Sequence, residues 1–283
     1  MKTAVLGMGR MGAALAGRLL AGGHDVVIWN RTPGKAVDVV AAGASEAGTV
    51  AEAVRAAEIV LTSLSNDAAV RQVALGPGGV RDAIASGVPY VECSTVSPQL
   101  TDELAGVFAD FVALPVLGGP ATVESGQATY LAGTGEATLD LIEPVLASLG
   151  GTRRHYGSAR LASAAKLTVN LLLLSSVVSL AESFTVGRCG GLTDDQLREL
   201  LAGVVAPGAK NRFEAVLGAS SDGWWTTALG AKDAGLAVDL ADGAGFNLSV
   251  GTAVRDAYLR VAEEGHADDD IAAVRCLYPA PKR

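Results

Sequence analysis

Lys166 lies in the run ASAAKLTVNLLLL, an ammonium among apolar side chains, with Asn170 one helical turn further on the same face. A buried ammonium without partners is costly, so this lysine needs either a partner or a task. In a desolvated cleft a lysine has a readily shifted pKa and suits general acid/base work. An amide one turn away can hold its head group or a substrate hydroxyl. The competing reading is a stem laid along apolar surface with its head in solvent. Lys232 beside Asp233, in GAKDAGLAVDLA, is equally readable as an ion pair on a helix surface.

A second constellation is GMGRMG, in which Gly7, Gly9 and Gly12 fit G-x-G-x-x-G between an apolar strand at 3–6 and a helical stretch at 13–20. Gly7 permits the tight turn, Gly9 lets backbone approach a pyrophosphate, and Gly12 lets helix pack closely on strand. Phosphates then meet the N–H groups and positive end of the helix, which brings Met8, Arg10 and Met11 into the cofactor loop. A glycine-lined turn with no ligand is the alternative. The second strand, at 24–29, ends in WNRT. A carboxylate expected there, roughly 20 residues after the glycines, would hold a ribose 2′-hydroxyl. Asn30, Arg31 and Thr32 stand there instead, and an Arg fork beside an amide and a hydroxyl suits a 2′-phosphate. NADP(H) is therefore favoured over NAD(H), unless Arg31 is only a solvated turn residue before Pro33.

Three polar loops follow further strands. Residues 63–67, SLSND, put Leu64 and Ser65 on the adenosine side. Residues 94–98, STVSP, offer Ser94 and Thr95 hydroxyls near the nicotinamide, or else form a turn and N-cap. Residues 115–120, PVLGGP, carry paired glycines whose N–H groups can approach a substrate.

These segments need a scaffold, and the chain supplies an alternating one up to about residue 155. Apolar strands at 3–6, 25–29, 59–62, 90–93, 111–113, 128–131 and 153–156 are separated by helical stretches at 33–42, 50–56, 68–75, 99–108 and 136–149. Such alternation predicts an α/β fold with a mostly parallel, doubly wound Rossmann-type sheet in a domain spanning 1–160. Residues 161–283 read as all-helical: a long apolar helix to about 188, then 193–201, 212–217, 226–243, 250–264 and 268–274. Thr193 with Asp194 and Asp195 predicts an N-cap and an acidic first turn.

With 283 residues, 49% of them hydrophobic, the chain can bury a large core. A net charge of −8 speaks against a nucleic-acid partner. Cys93, Cys189 and Cys276, and His24, His155 and His266, are too dispersed for a disulfide framework or a metal site. A metal-free cytoplasmic protein with a small-molecule substrate is expected, since strand and glycine loop begin at once without a leader-like stretch. Residues 167–187 are apolar, but Asn170 and Glu182 interrupt them. They predict a helix covered between domains or subunits, with no membrane involved.

Together these residues resemble the β-hydroxyacid dehydrogenase family, which includes 3-hydroxyisobutyrate dehydrogenases and tartronate semialdehyde reductases, over essentially the whole chain. GMGRMG is similar to its cofactor loop, STVSP to its segment beside the nicotinamide and PVLGG to its substrate segment. AAKLTVN resembles its catalytic Lys-x-x-x-Asn and KDAGLAVDLA its K-D-x-x-L-A-x-x-x-A. The resemblance implies Lys166 as general acid/base, Asn170, Gly118 and Gly119 as substrate contacts, and Thr95 and Lys232 as cofactor contacts. It also implies a long interdomain helix, an all-helical second domain and a homodimer or homotetramer.

Departures from the family pattern fall at the substrate end. The usual D-A-P-V-S-G-G reads ALPVLGG, with Ala113 for Asp and Leu117 for Ser. An apolar group in place of that hydroxyl penalises a carboxylate and favours a greasier substrate. Glycines usual before the catalytic lysine are Arg160 and Ala162. Trp224 and Trp225 stand where an aromatic often lines the pocket, and read as a wall or as packing. The implied activity is hydride transfer between NADP(H) and a β-hydroxy acid, semialdehyde or more apolar carbonyl. Imine reduction is the alternative, although those relatives commonly carry Asp or Tyr where Lys166 stands. A non-catalytic NADP-sensing protein is a third reading.

Overall fold

The computed structural model describes residues 1–204, 212–218 and 223–278. Six strands, β1 (Lys2–Leu6), β2 (Asp25–Trp29), β3 (Ser45–Glu46), β4 (Ile59–Thr62), β5 (Tyr90–Glu92) and β6 (Phe111–Ala113), pair in parallel in the order β3-β2-β1-β4-β5-β6. The order reverses between β1 and β4, and ligands of such sheets bind outside the carboxyl ends at that point. Val5, Ile59, Leu61 and Val91 enter one apolar cluster, while Ala4, Leu6, Val60 and Tyr90 enter another. Successive side chains point to opposite faces and both faces are covered, so these strands are apolar throughout.

Several expected elements take a different form. No strand is expected at β3, because its two residues are polar and exposed; pairing with Val27 and Ile28 alone makes it one. The helix expected over 33–42 shortens to Val37–Ala41, after a turn in which Gly34 adopts φ +75°. That expected over 136–149 is two helices, Glu136–Leu141 and Glu143–Leu149. Pro144 opens the second and cannot continue the first. Residues 115–120, expected as a loop, contain β7 (Val116–Leu117), antiparallel to β8 (Thr129–Ala132), which pairs in parallel with β9 (Thr152–His155). Ala113 and Gly133 exchange backbone hydrogen bonds, so this small sheet grows from the edge of β6.

The amino ends of the strands are held by a histidine. His24 is 9% exposed, with Nδ1 3.3 Å from Thr3 Oγ1 and Nε2 2.7 Å from Ser148 Oγ. Ser148 in turn donates to the Pro144 carbonyl. Burial lowers the His24 pKa, so on acidification the folded protein takes up this proton later than the unfolded chain does. The unfolded chain then binds the extra proton first, and stability must fall as the pH drops below about 6.5, the ordinary histidine value. Urea unfolding of the wild type and His24→Gln between pH 8 and 5 checks this. The wild type should lose more stability on acidification than the variant, and equal losses would exclude the histidine.

The chain divides into two units, Met1–Lys166 and Leu167–Arg283. The 31-residue helix Ala159–Cys189 begins in the first and continues through the second. The second unit is helical among its described residues, with helices Asp194–Ala202, Phe213–Leu217, Thr227–Asp242 and Ser249–Val261. Residues 268–274, expected as an α-helix, instead give the 3₁₀ segment Ile271–Leu277, capped by Asp270. Thr193 and Gln196 form a capping box, with Asp194 and Asp195 in the first turn. Leu174, Val177, Phe184, Leu197, Tyr258 and Val261 build the core of this unit.

The long helix is apolar and long enough to cross a membrane by length and composition. Part of it is buried, but Leu172 and Val186 are 67% and 72% exposed, so the described residues do not supply the expected all-round cover. Its serines fit the apolar run because Ser175, Ser176 and Ser183 return their hydroxyls to carbonyls one turn back.

Candidate functional site

The turn after β1 is built as the glycine spacing requires. Gly7 takes φ +98°, and a Cβ there would lie 2.4 Å from the Ser63 carbonyl oxygen. A Cβ on Gly12 would lie 1.9 Å from the Gly7 oxygen, so helix α1 (Arg10–Ala21) reaches its strand only through glycine. Around Gly9 a Cβ would meet no atom within 4 Å, which leaves open space at its backbone. α1 starts on Gly9 with no side-chain cap. A helix start with no side-chain cap, beside open space, fits a pyrophosphate.

Met8 is engaged within the protein. Its side chain is 5% exposed in the core, and its N–H donates to Asn30 Oδ1 at 3.0 Å. Asn30 is committed too, since its Nδ2 donates to the Thr32 carbonyl at 2.8 Å. The amide therefore fixes the glycine loop against the end of β2. Arg31 and Thr32 are exposed just beyond it, and no ion pair among the described residues engages Arg31. Arg10 is exposed at the start of α1, and Met11 packs partly against the core.

The loops after β4 and β5 are tied to each other. Ser94 is buried, its Oγ accepts the Leu64 N–H at 2.7 Å, and its hydroxyl also bonds Glu92, so both of its roles are taken up inside the protein. Thr95 is half-buried and Ser65 exposed. Ser97 caps helix Pro98–Val107 and bonds Asp67 through both its hydroxyl and its N–H. Beneath them lies Glu92, 1% exposed, whose carboxyl is pushed up by burial. The sequence reading missed it; its signal is a lone charge in the apolar run VPYVEC.

The substrate segment lies one strand further on. Leu117 is half-buried in β7, Gly118 takes φ +129° and Gly119 opens helix Pro120–Glu124. Lys166 is half-buried, not enclosed as expected, and its Nζ donates to the Val116 carbonyl at 2.6 Å. Two further contacts pin the same helix face: Ser163 Oγ donates to the Val96 carbonyl, and Arg160 pairs with Asp102. Arg160 and Ala162 thus have structural work of their own, the first in that ion pair and the second fully buried against Gly133.

In the second unit, Asn170 is 3% exposed and its Nδ2 donates to Asp233 Oδ2 at 2.6 Å. Lys232 Nζ lies 2.7 Å from Asp233 Oδ1, with side-chain exposures of 22% and 5%. This is a largely buried pair joined to an amide, not the surface pair the sequence also allowed. Asp233 is the centre of that cluster and was missed beside its lysine. Trp224 is half-buried, stacked on Trp225 at 5.9 Å, with the Arg212 guanidinium 5.2 Å from its ring centre.

Residues 2–157 match a family model described as the NAD binding domain of 6-phosphogluconate dehydrogenase. Residues 161–278 match one described as NAD-binding of NADP-dependent 3-hydroxyisobutyrate dehydrogenase. The chain is 33% identical to 2-(hydroxymethyl)glutarate dehydrogenase of Eubacterium barkeri, over 84% of this chain and 81% of that one. Among solved structures, Mycobacterium tuberculosis 3-hydroxyisobutyrate dehydrogenase with L-serine is 27% identical, with a TM-score of 0.83 and 98% of each chain covered. An imine reductase from Myxococcus stipitatus, with NADP+, shares the fold at 20% identity and a TM-score of 0.67, over 98% of this chain and 99% of that one.

Proposed function

The chain belongs to the β-hydroxyacid dehydrogenase family, as an NAD(P)-dependent oxidoreductase acting on hydroxyl or carbonyl groups, and from that footing we propose that it is an NADPH-dependent semialdehyde or ketone reductase with Lys166 as its proton donor. The observation that carries this reading is the Lys166–Val116 hydrogen bond, which keeps an ammonium on the strand leading into Gly118 and Gly119. The bound reduced nucleotide supplies the hydride to the carbonyl carbon. Lys166 gives its proton to the carbonyl oxygen, and in the oxidising direction the neutral amine takes that proton back from the alcohol. The Gly118 and Gly119 backbone orients the substrate, and the family resemblance makes Asn170 a further substrate contact. Asp233 engages the Asn170 amide nitrogen, which leaves the amide oxygen as the group that side chain can offer a substrate hydroxyl. Bare Leu172 and Val186 favour a second copy over this stretch of helix, as a homodimer or homotetramer.

Relatives named for 3-hydroxy acids point to a substrate with a carboxylate near the reacting carbon. Leu117 opposes that carboxylate and favours an apolar substituent beside β7. Following NADPH absorbance with semialdehydes, uncharged ketones, 3-hydroxy acids with NADP+, and cyclic imines tests the whole reading. Turnover of aldehydes or ketones is expected; turnover of imines alone would replace it with imine reduction. In the same assay Leu117→Ser should lower KM for a carboxylate-bearing semialdehyde by about tenfold, the worth of one hydrogen bond to a charged group, with kcat little changed. An unchanged KM would show that residue 117 does not face the carboxylate.

A further inference from the structure

Three residues place donors on a single carboxyl at the carboxyl end of β5. Thr62 Oγ1 donates to Glu92 Oε2 at 2.5 Å, Tyr90 Oη donates to the same oxygen at 3.1 Å, and the Ser94 N–H donates to Oε1 at 2.7 Å. The two hydroxyls are themselves 3.1 Å apart, and Thr62, Tyr90 and Glu92 are all sealed from solvent. From Ser94 the chain of bonds continues through its Oγ to the Leu64 N–H. One buried carboxyl therefore joins the last residues of β4 and β5 to both loops that leave them.

We propose that Glu92 is a positioning residue of the nucleotide site, setting where residues 94 and 95 stand relative to residues 63–65. This rests on the nicotinamide-nucleotide reading of those loops. The fold does not need the carboxyl for holding the loops together, because Asp67 and Ser97 form an independent latch further along both. Thr62 and Tyr90 depend on it only in part, since their hydroxyls reach each other and one of the two O–H groups keeps an acceptor without it. What the carboxyl alone does is hold Ser94, accepting its N–H and bonding its hydroxyl. Without it that donor is orphaned, and the loop must shift to find water. Thr95 shifts with it, and so does the acceptor of the Leu64 N–H.

The test uses the full chain, with NADPH and NADH titrated by nucleotide fluorescence alongside kcat, KM and thermal unfolding. Glu92→Leu should weaken NADPH binding by about tenfold or more, with Tm held within about 5 °C. Glu92→Gln should recover binding to within about threefold of the wild type, because the carboxamide oxygen still accepts the Ser94 N–H and its nitrogen can donate to either hydroxyl. A leucine variant that binds like the wild type, or a glutamine variant as weak as leucine, overturns the inference. Should the leucine variant not fold, Glu92→Met decides, since it keeps an unbranched side chain of similar length and offers the Ser94 N–H only a weak thioether acceptor. NADPH binding by that variant within twofold of the wild type would then overturn the inference. A wild-type chain that binds neither nucleotide would sink the underlying nucleotide reading and this inference with it, whereas normal wild-type binding with unaffected variants sinks only the inference.

Discussion

Lys166→Ala is expected to lower turnover about 10²–10⁴-fold, the range supplied by a positioned proton donor, while the NADPH dissociation constant moves less than about threefold. The two readouts separate because of where the amine is held. Its partner is the Val116 carbonyl, on the strand that leads into the substrate segment, whereas the glycine loop follows β1 and engages α1 and Asn30. Truncation leaves the helix anchored by Arg160 and Ser163, so the backbone around residue 166 keeps its course. Lys166→Arg sharpens the test. A guanidinium keeps charge and donors but does not release a proton in this range, so a proton-transfer role leaves that variant slow as well. If arginine restored most of the rate, charge alone would be the function. Turnover above about a tenth of the wild-type value in the alanine variant would remove Lys166 as the proton donor.

The parts of this site that sequence made legible are those in which residue type and chain geometry coincide. Gly7, Gly9 and Gly12 each do a different steric job, and no neighbour from elsewhere in the chain is needed to foresee it. The long helix and the alternating strands were legible for the same reason: their periodicities are local. Hydrogen-bond partners are not local, and there the reading ran out. Met8 and Asn30 looked like two free groups for a nucleotide, yet 22 positions apart they satisfy each other. Ser94 looked like a hydroxyl for the nicotinamide and is occupied by Leu64 from the neighbouring loop. Asn170 and Asp233 are 63 positions apart, so the acid that fixes the amide passed for a lysine's surface partner. A two-residue polar strand such as β3 exists only because β2 lies beside it.

Cofactor choice tests how far those occupied groups can be rewired. Arg31→Ala should weaken NADPH binding about 10- to 100-fold, the value of hydrogen bonds between charged groups, and leave NADH binding unchanged. Asn30→Asp acts differently. Its remaining carboxylate oxygen can still accept the Met8 N–H, so the glycine loop stays in place, while the donation to the Thr32 carbonyl is lost. The new charge repels a 2′-phosphate and offers a ribose hydroxyl the acceptor that NAD-type sites provide. The double variant should therefore reverse the preference, with kcat/KM for NADH exceeding that for NADPH by about tenfold. Because NADH turnover is measured on the same protein, a folding defect would lower both values together and is told apart from a switch. A wild type that already uses NADH as well as NADPH would show that Arg31 is the solvated turn residue its exposure also allows, and that the phosphate finds no clamp at the end of β2.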